Sequence, residues 1–145
     1  MGAPNQPRSV PAIASPRFPA TLATPAPASP KLGVAAADVD GKHVFAGACA
    51  ACHGWTGASP VSPFATLTGA RAVNDPGAVN VAQIVISGTR RTTPKGAVSM
   101  PAFGAALSDA EIAAVANYVT ARFGARPSSV TGRDIAALRR QSAQP

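Results

Sequence analysis

The sequence predicts a small all-α domain with three main helices joined by long loops. Two observations favour this fold class: apolar residues recur at helical spacing in separate segments, and residues that start or stop helices flank those segments. In addition, no alternating run of apolar and polar residues reaches a useful strand length. The three main predicted helices fall within residues 38–124, a length suited to one small domain.

The first helix is predicted to begin near Asp38 or Asp40 and to run into Cys49. After it, residues 54–74 form a loop rich in Gly, Pro, Ser and Thr. A loop of this length is uncommon in a compact domain unless it has a function of its own. We therefore expect it to wrap a bound group.

The middle helix is predicted from about Pro76 to Ser87. Asp75 is expected to be its N-cap, because a proline at the first helical position loses no hydrogen bond, and Gly88 is expected to end it. The apolar stripe of this helix is formed by Val81, Ile84 and Val85.

The last main helix begins at a capping box. The Ser108 hydroxyl and the Glu111 carboxylate are each expected to satisfy a free backbone N–H at the helix start. Gly124 is well placed to end the helix after about four turns. Its apolar face is formed by Ile112, Val115, Ala116, Val119 and Phe123.

The chemistry of the chain is concentrated in Cys49-Ala50-Ala51-Cys52-His53, which holds its only two cysteines. Cys-x-x-Cys-His is the pattern of c-type haem attachment. Two thiols at this spacing can reach the two vinyl groups on one porphyrin edge, and the adjacent histidine is then held under the iron as an axial ligand. The motif therefore predicts both a cofactor and its first iron ligand.

Two other interpretations of the cysteines have weaker support. A redox-active disulfide of this spacing belongs near a strand-helix unit, which this sequence does not show. Zinc would need two further ligands at suitable spacing. The only other histidine, His43, lies on the same segment.

Met100 is the natural second axial ligand. It is the one methionine after Met1, it follows His53 by 47 residues, and it lies in the loop segment Ser99-Met100-Pro101-Ala102-Phe103-Gly104. A neutral thioether favours ferrous iron and raises the reduction potential. The alternative for a lone methionine is filling a gap in the core.

These residues resemble the class I cytochromes c over about residues 38–124. Gly41 and Phe45 precede the Cys49 motif, and the late helix presents Val115 and Tyr118. In that family, a small residue and aromatics at these positions let the first and last helices cross closely beside the haem. The resemblance implies a class I cytochrome c fold, with helices and loops wrapped around one covalently bound haem c.

A narrower resemblance covers Met100 to Leu138. The segments MPAFGAALSDAEIAAVANYVTARFG and RPSSVTGRDIAALR look like the third haem domain of the three-haem cytochrome subunits of bacterial membrane-bound alcohol and sugar dehydrogenases. This resemblance implies a periplasmic electron carrier between a dehydrogenase subunit and an acceptor such as quinone, a cytochrome or an oxidase. The protein itself would not be an enzyme. Both axial positions would be filled, by His53 and Met100.

The family resemblance also implies a proline beside the haem on the His53 side. Pro63 is favoured over Pro60 for this position, with its region supplying a carbonyl to the His53 N–H. The same resemblance places Arg90, Arg91 and Lys95 near the haem edge. They would pair with haem propionates or steer an acidic redox partner, or they form a solvated loop without a specific role.

The flanks differ from the haem domain in composition. Residues 1–37 contain eight prolines and no apolar periodicity, which predicts a disordered or polyproline-like linker. They are too proline-rich for a secretory signal, so we expect that they joined this domain to a preceding one in a longer polypeptide. No apolar run approaches the roughly 18 residues of a membrane span, so any membrane association would come from a missing segment or a partner.

Residues 125–145 form a basic tail in which a short helix is predicted from Thr131 to Arg140. Thr131 is expected to cap it, with Asp134 at the third position. We expect this helix to have a docking or strapping role.

The net charge of +7 does not indicate nucleic-acid binding. Residues 38–124 carry a net charge of +1, and each flank carries +3. No recognition helix or basic-aromatic pattern accompanies these charges. A basic tail is better suited to an acidic partner subunit or anionic lipid head groups.

Two other functions remain open from the sequence alone. If Met100 is loose or displaced, an open iron position would make a peroxidase-like or gas-binding haem protein. Such a protein needs a distal acid-base residue, whereas the resemblance places His43 on the proximal side. Alternatively, the chain is chiefly a tether whose tails bind a partner. Partner binding that survives deletion of residues 38–124 would favour the tether.

A domain this small has a marginal core, so a covalently held cofactor is expected to contribute much of its stability. We predict that a chain carrying both Cys49→Ser and Cys52→Ser is largely coil by circular dichroism. A helical apoprotein that melts cooperatively would contradict this prediction.

Overall fold

A computed structural model describes residues 39–143. The linker predicted at 1–37 lies outside the described residues. The element order is α1 (Gly41–Ala48), α2 (Ala50–His53), a 3₁₀ turn (Pro63–Ala65), α3 (Val79–Ser87), β1 (Thr89–Thr93), β2 (Gly96–Met100), α4 (Asp109–Phe123) and α5 (Gly132–Ser142). The described part is thus mostly helical, as predicted, with one small sheet.

Helix α1 begins where the sequence predicts. Asp40 is its N-cap, and the Asp40 carboxylate accepts a hydrogen bond from the Lys42 backbone N–H at 2.9 Å. Aspartate at this position satisfies a free backbone N–H and so stabilises the start of the helix. Phe45, on the inner face, is completely buried.

Helices α1 and α4 cross closely. A Cβ added to Gly41 would overlap the Ala114 carbonyl oxygen and come within 2.9 Å of the Tyr118 Cβ, so the backbones approach to a distance that only glycine allows. Phe45 fills the crossing, with its ring centroid 5.3 Å from that of Tyr118 and 5.5 Å from that of Phe123. Tilted aromatic contacts at these distances are favourable.

Two hydrophobic clusters form the core, and α4 contributes to both. The first joins α1 and the Cys49 turn to the C-terminal half of α4, and includes Phe45, Cys49, Val115, Ala116, Val119 and Phe123. The second joins α3 and α5 to the N-terminal half of α4, and includes Ala82, Val85, Ile86, Ile112, Ala113 and Ile135. Helix α4 is therefore the element around which the others are arranged.

The predicted capping box of α4 is present. Ser108 accepts from the Glu111 N–H at 3.3 Å, and the Glu111 carboxylate accepts from the Ser108 N–H at 2.8 Å and from its hydroxyl at 2.7 Å. These hydrogen bonds lower the pKa of Glu111 from its ordinary value of 4.5. Gly124 ends the helix, as predicted.

The start of α3 differs from the prediction. Asp75-Pro76-Gly77-Ala78 forms a turn in which the Ala78 N–H donates to the Asp75 carbonyl at 3.0 Å, so the proline occupies a turn position instead of the first helical one. The Asp75 carboxylate accepts from the backbone N–H groups of Gly77 and Asn80, each at 3.3 Å. Ala78, with φ of 51°, is the N-cap, and the helix begins at Val79. Gly88 ends it, as predicted.

The prediction that no strand is present was wrong for residues 89–100. Strands β1 and β2 pair antiparallel, with Thr89 opposite Met100 and Thr93 opposite Gly96. The Thr93 hydroxyl donates to the Gly96 carbonyl at 2.7 Å and accepts from the Lys95 N–H at 3.2 Å, which closes the turn. Because β1 is exposed on both faces except at its last residue, it has no alternation of apolar and polar residues to detect.

The predicted tail helix is present as α5. Thr131 and Asp134 form a second capping box, and the helix continues to Ser142, two residues beyond the predicted end. Ile135 is completely buried in the second cluster. Residues 132–142 therefore pack onto α3 and α4 instead of extending into solvent.

We predict that Gly41→Ala destabilises the haem-loaded protein by about 1–3 kcal/mol, because the new Cβ overlaps the α4 backbone. Gly47→Ala is the matched control. It lies in the same helix with open space around its α-carbon, and should gain about 0.5–1 kcal/mol from helix propensity. Urea denaturation of both variants measures this difference. Equal stabilities would show that the crossing does not depend on Gly41.

We predict that Ser108→Ala costs about 1 kcal/mol at pH 7. Because the folded pKa of Glu111 lies below its ordinary value, the carboxylate stabilises the fold above that value and loses this contribution as the pH falls through the folded pKa. The stability gap between the wild type and the variant should therefore narrow below about pH 4.5. Exposed Ser99→Ala is the control, and a gap independent of pH would contradict the prediction.

Candidate functional site

The Cys-x-x-Cys-His motif forms a single turn of helix. The His53 N–H donates to the Cys49 carbonyl at 3.0 Å, and Cys49 is joined to α1 by a 2.9 Å hydrogen bond to the Phe45 carbonyl. Residues three and four positions apart on a helix lie on the same face. The side chains of Cys49, Cys52 and His53 are therefore brought together, with Cys49 buried and Cys52 exposed.

The two cysteines are not joined by a disulfide. Burial, and to a lesser extent the neighbouring Cys52, raise the pKa of Cys49 to about 11. Across residues 39–143, no group of three or more His, Cys, Asp or Glu side chains is arranged to hold a metal ion, so the zinc interpretation lacks a ligand set there.

His53 is oriented by the loop that follows it. Its Nδ1 lies 2.6 Å from the carbonyl oxygen of Ala65. Because a carbonyl can only accept, Nδ1 is the donor in this contact, and Nε2 is the ring nitrogen left for another partner. Ala65 ends the 3₁₀ turn that begins at Pro63, so the carbonyl comes from the region that the resemblance implied.

The loop between His53 and the 3₁₀ turn is held by Ser59. Its hydroxyl donates to the Cys52 carbonyl at 2.6 Å and accepts from the N–H groups of Val61 and Ser62, each at 3.2 Å. Ser62 in turn caps the 3₁₀ turn by accepting from the Phe64 N–H. This chain of hydrogen bonds connects the cysteine motif to the carbonyl that orients His53.

The β-hairpin lies against the same 3₁₀ turn. The Arg91 guanidinium carbon is 5.0 Å from the Phe64 ring centroid, a cation-π distance. A shallow cavity of about 310 Å³ is lined by Pro63, Phe64, Thr93, Pro94 and Lys95. The hairpin turn and the proximal loop are therefore neighbours, although they are about thirty residues apart in sequence.

Met100 is the last residue of β2 and is half-buried. Its side chain packs against the second hydrophobic cluster, whereas Cys49 belongs to the first. A Cβ added to Gly88 would come 2.6 Å from the Met100 carbonyl oxygen and 2.8 Å from the Ala102 nitrogen, so the end of α3 is in close contact with the backbone at Met100.

His43 and Trp55 lie on either side of the cysteine motif in the sequence. His43 is exposed on α1, three residues from the aspartate that caps that helix. Trp55 packs edge-on against Phe45 at a centroid distance of 6.1 Å, while about half of its surface is exposed. Ser59 and Phe64 could not be predicted from the sequence, because a serine and a phenylalanine in an irregular loop carry no spacing signal.

Within residues 39–143, acidic and basic side chains differ in how far they take part in hydrogen bonds and ion pairs. Each of the five carboxylates within residues 39–143 accepts a hydrogen bond near its own position or from Arg139. Asp109 with Arg139 is the one ion pair recorded in that range. The remaining lysines and arginines there leave the surface with a positive potential.

Comparison with known proteins gives the family. A model of the family described as cytochrome c oxidase, cbb3-type, subunit III, matches residues 36–119. The gluconate 2-dehydrogenase cytochrome c subunit of Pantoea cypripedii is 33% identical over 106 residues, which cover 69% of this chain and 24% of that protein. The chain thus spans about a quarter of the length of this relative.

None of the helices between residues 39 and 143 combines the length and the apolar character needed to cross a bilayer.

The family match covers more than half of the chain and contains the Cys-x-x-Cys-His turn, the hairpin and most of α4. The chain therefore belongs to the cytochrome c family, as a class I cytochrome c domain whose cofactor is covalently bound haem c and whose role is electron transfer, not catalysis.

Proposed function

We propose that this domain transfers single electrons through one haem c attached to Cys49 and Cys52 and ligated axially by His53 and Met100. The observation that carries the proposal is the 2.6 Å contact between His53 Nδ1 and the Ala65 carbonyl. An imidazole that ligates a metal through one nitrogen usually donates its other N–H to a carbonyl or carboxylate, which fixes the ring and raises the basicity of the ligating nitrogen. The Ala65 contact supports this role for His53.

The side chains of the cysteine motif and of Met100 are of the types that a haem c requires. Two thiols on one helical turn suit attachment to one porphyrin edge, and an imidazole together with a thioether is the pair of axial ligands found in electron-transfer cytochromes c. Neutral sulfur at Met100 favours the reduced state and so raises the potential. Since both axial positions would be occupied, a substrate would find no open position on the iron.

When bound, the haem supplies a one-electron couple between ferrous and ferric iron. The chain's own residues attach it, orient its ligands and surround it. The exposed apolar side chains of Val61 and Phe64 lie in the loop that follows His53. They support a role for that loop in covering a flat apolar group.

The proposed electron donor is a dehydrogenase catalytic subunit in the periplasm. Support comes from the relative in Pantoea cypripedii, which is a cytochrome c subunit of gluconate 2-dehydrogenase. The acceptor would be quinone, another cytochrome or an oxidase. Arg90 and Lys95 on the hairpin are exposed, and residues 76–108 contain no Asp or Glu, which suits docking to an acidic redox partner.

We predict that the haem-loaded wild-type protein shows the weak far-red absorption band of sulfur bound to ferric iron. Met100→Ala and the size-matched Met100→Leu should both lose that band. The midpoint potential of both variants should fall by on the order of 0.1 V, within the span of about 0.8 V over which axial ligands set haem potentials. Visible spectroscopy and potentiometry measure the two effects.

Val98→Ala is the matched control, because it truncates another half-buried side chain of β2 without removing sulfur. This variant should keep the band. A high-spin wild-type spectrum that shifts on adding carbon monoxide would contradict the proposed ligation and indicate an open iron position. Such a spectrum would favour ligand binding or peroxidase-like chemistry.

A further inference from the structure

Arg139 on α5 binds the segment that follows Met100. Its Nε donates to the Asp109 carboxylate at 2.5 Å, its Nη2 donates to the Leu107 carbonyl at 2.7 Å, and its Nη1 donates to the Gly104 carbonyl. The planar guanidinium thus uses three nitrogens at once, which a lysine cannot do. Two of these partners lie between Met100 and α4, and the third, Asp109, is the first residue of α4.

This segment, residues 101–108, contains no helix or strand of its own. It is also attached to α3, because the N–H groups of Phe103 and Gly104 donate to the carbonyls of Val85 and Ile86 at 2.9 and 3.1 Å. A Cβ added to Gly104 would lie 2.7 Å from the Ile86 oxygen and 3.2 Å from Arg139 Nη1. The segment is therefore held both by the end of α3 and by the arginine.

Helix α5 and the chain just before it are attached to α4, which fixes the position of Arg139. The Asn117 side chain on α4 donates to the Val130 carbonyl at 2.8 Å and accepts from the Val130 N–H at 2.9 Å. Ser128 adds a hydrogen bond from its hydroxyl to Asn117 at 2.8 Å. The complete burial of Ile135 anchors the helix one turn before Arg139.

We propose that Arg139 is a positioning residue for Met100: through it, α5 holds residues 101–108 so that the thioether stays on the iron. The inference rests on the proposed His53 and Met100 ligation. A charged group that makes three hydrogen bonds, two of them to backbone carbonyls, contributes more than a surface ion pair. Its loss would leave the chain on the C-terminal side of Met100 held only by the hydrogen bonds to α3, and so easier to open, while the hairpin on the N-terminal side stays in place.

The test uses the haem-loaded protein and the variant Arg139→Gln, with Arg140→Gln as matched control. Arg140 is the next residue of the same helix and is exposed, so both variants lose one positive charge. Added imidazole competes with a sulfur ligand for ferric iron, and loss of the far-red band reports the competition. We expect imidazole to bind Arg139→Gln about tenfold more tightly than the wild type, corresponding to about 1.4 kcal/mol, and Arg140→Gln to bind it as the wild type does.

A change below about threefold, or an equal change in Arg140→Gln, overturns the proposal. A lower melting temperature with unchanged imidazole affinity would also overturn it, since that result means a purely structural role. If Arg139→Gln does not fold, Arg139→Lys is measured instead. Arg139→Lys keeps a positive charge near Asp109 but cannot make the three hydrogen bonds of the guanidinium. The affinity of its ferric iron for imidazole should therefore still be higher than in the wild type.

Hydrogen exchange separates failure of this inference from failure of the proposed ligation. In Arg139→Gln the amides of Phe103 and Gly104 should exchange about tenfold faster than in the wild type, as expected when a local opening becomes about 1.4 kcal/mol easier. A wild-type protein without the far-red band would overturn the ligation and the role assigned to Arg139. Unchanged exchange with the band present would overturn the role of Arg139 alone.

Discussion

The close crossing of α1 and α4 is the constraint on which the rest of the structure depends. Gly41 allows the two backbones to touch, and Phe45 fills the space beside the contact. Because the cysteine motif continues directly from α1, the crossing fixes where Cys49 and His53 lie relative to α4. Because α4 also packs against α3 and α5, the same helix sets the position of the cluster that carries Met100.

The sequence predicted those helices whose ends are marked by side chains. Asp40, Ser108 and Thr131 each cap a helix through an oxygen bound to a backbone N–H, and each predicted start agrees with the structure. The predicted start of α3 was wrong because aspartate followed by proline also favours a turn, and Asp75 forms that turn in the structure. The hairpin was missed because its hydrogen bonds join backbone atoms of a strand exposed on both faces.

Some residues of the site could likewise be predicted from the sequence, and others could not. Cys49, Cys52 and His53 were identifiable because covalent attachment of haem requires a fixed spacing of particular residue types. The Ala65 carbonyl carries no residue-type signal, so only its approximate region was expected, by resemblance. Arg139 could not be assigned from the sequence, since its partners are backbone oxygens more than thirty residues away that only the packing of α5 brings close.

The segment after Met100 is anchored by two sets of hydrogen bonds, one to the last carbonyls of α3 and one from the guanidinium of Arg139. If Met100 is the axial ligand proposed here, its sulfur would be held by elements that do not need to rearrange when the iron changes charge. The nuclear reorganisation that accompanies each electron would then be small, as in other preorganised sites. Tight anchoring of an irregular loop would thereby favour rapid exchange of electrons with both a donor and an acceptor.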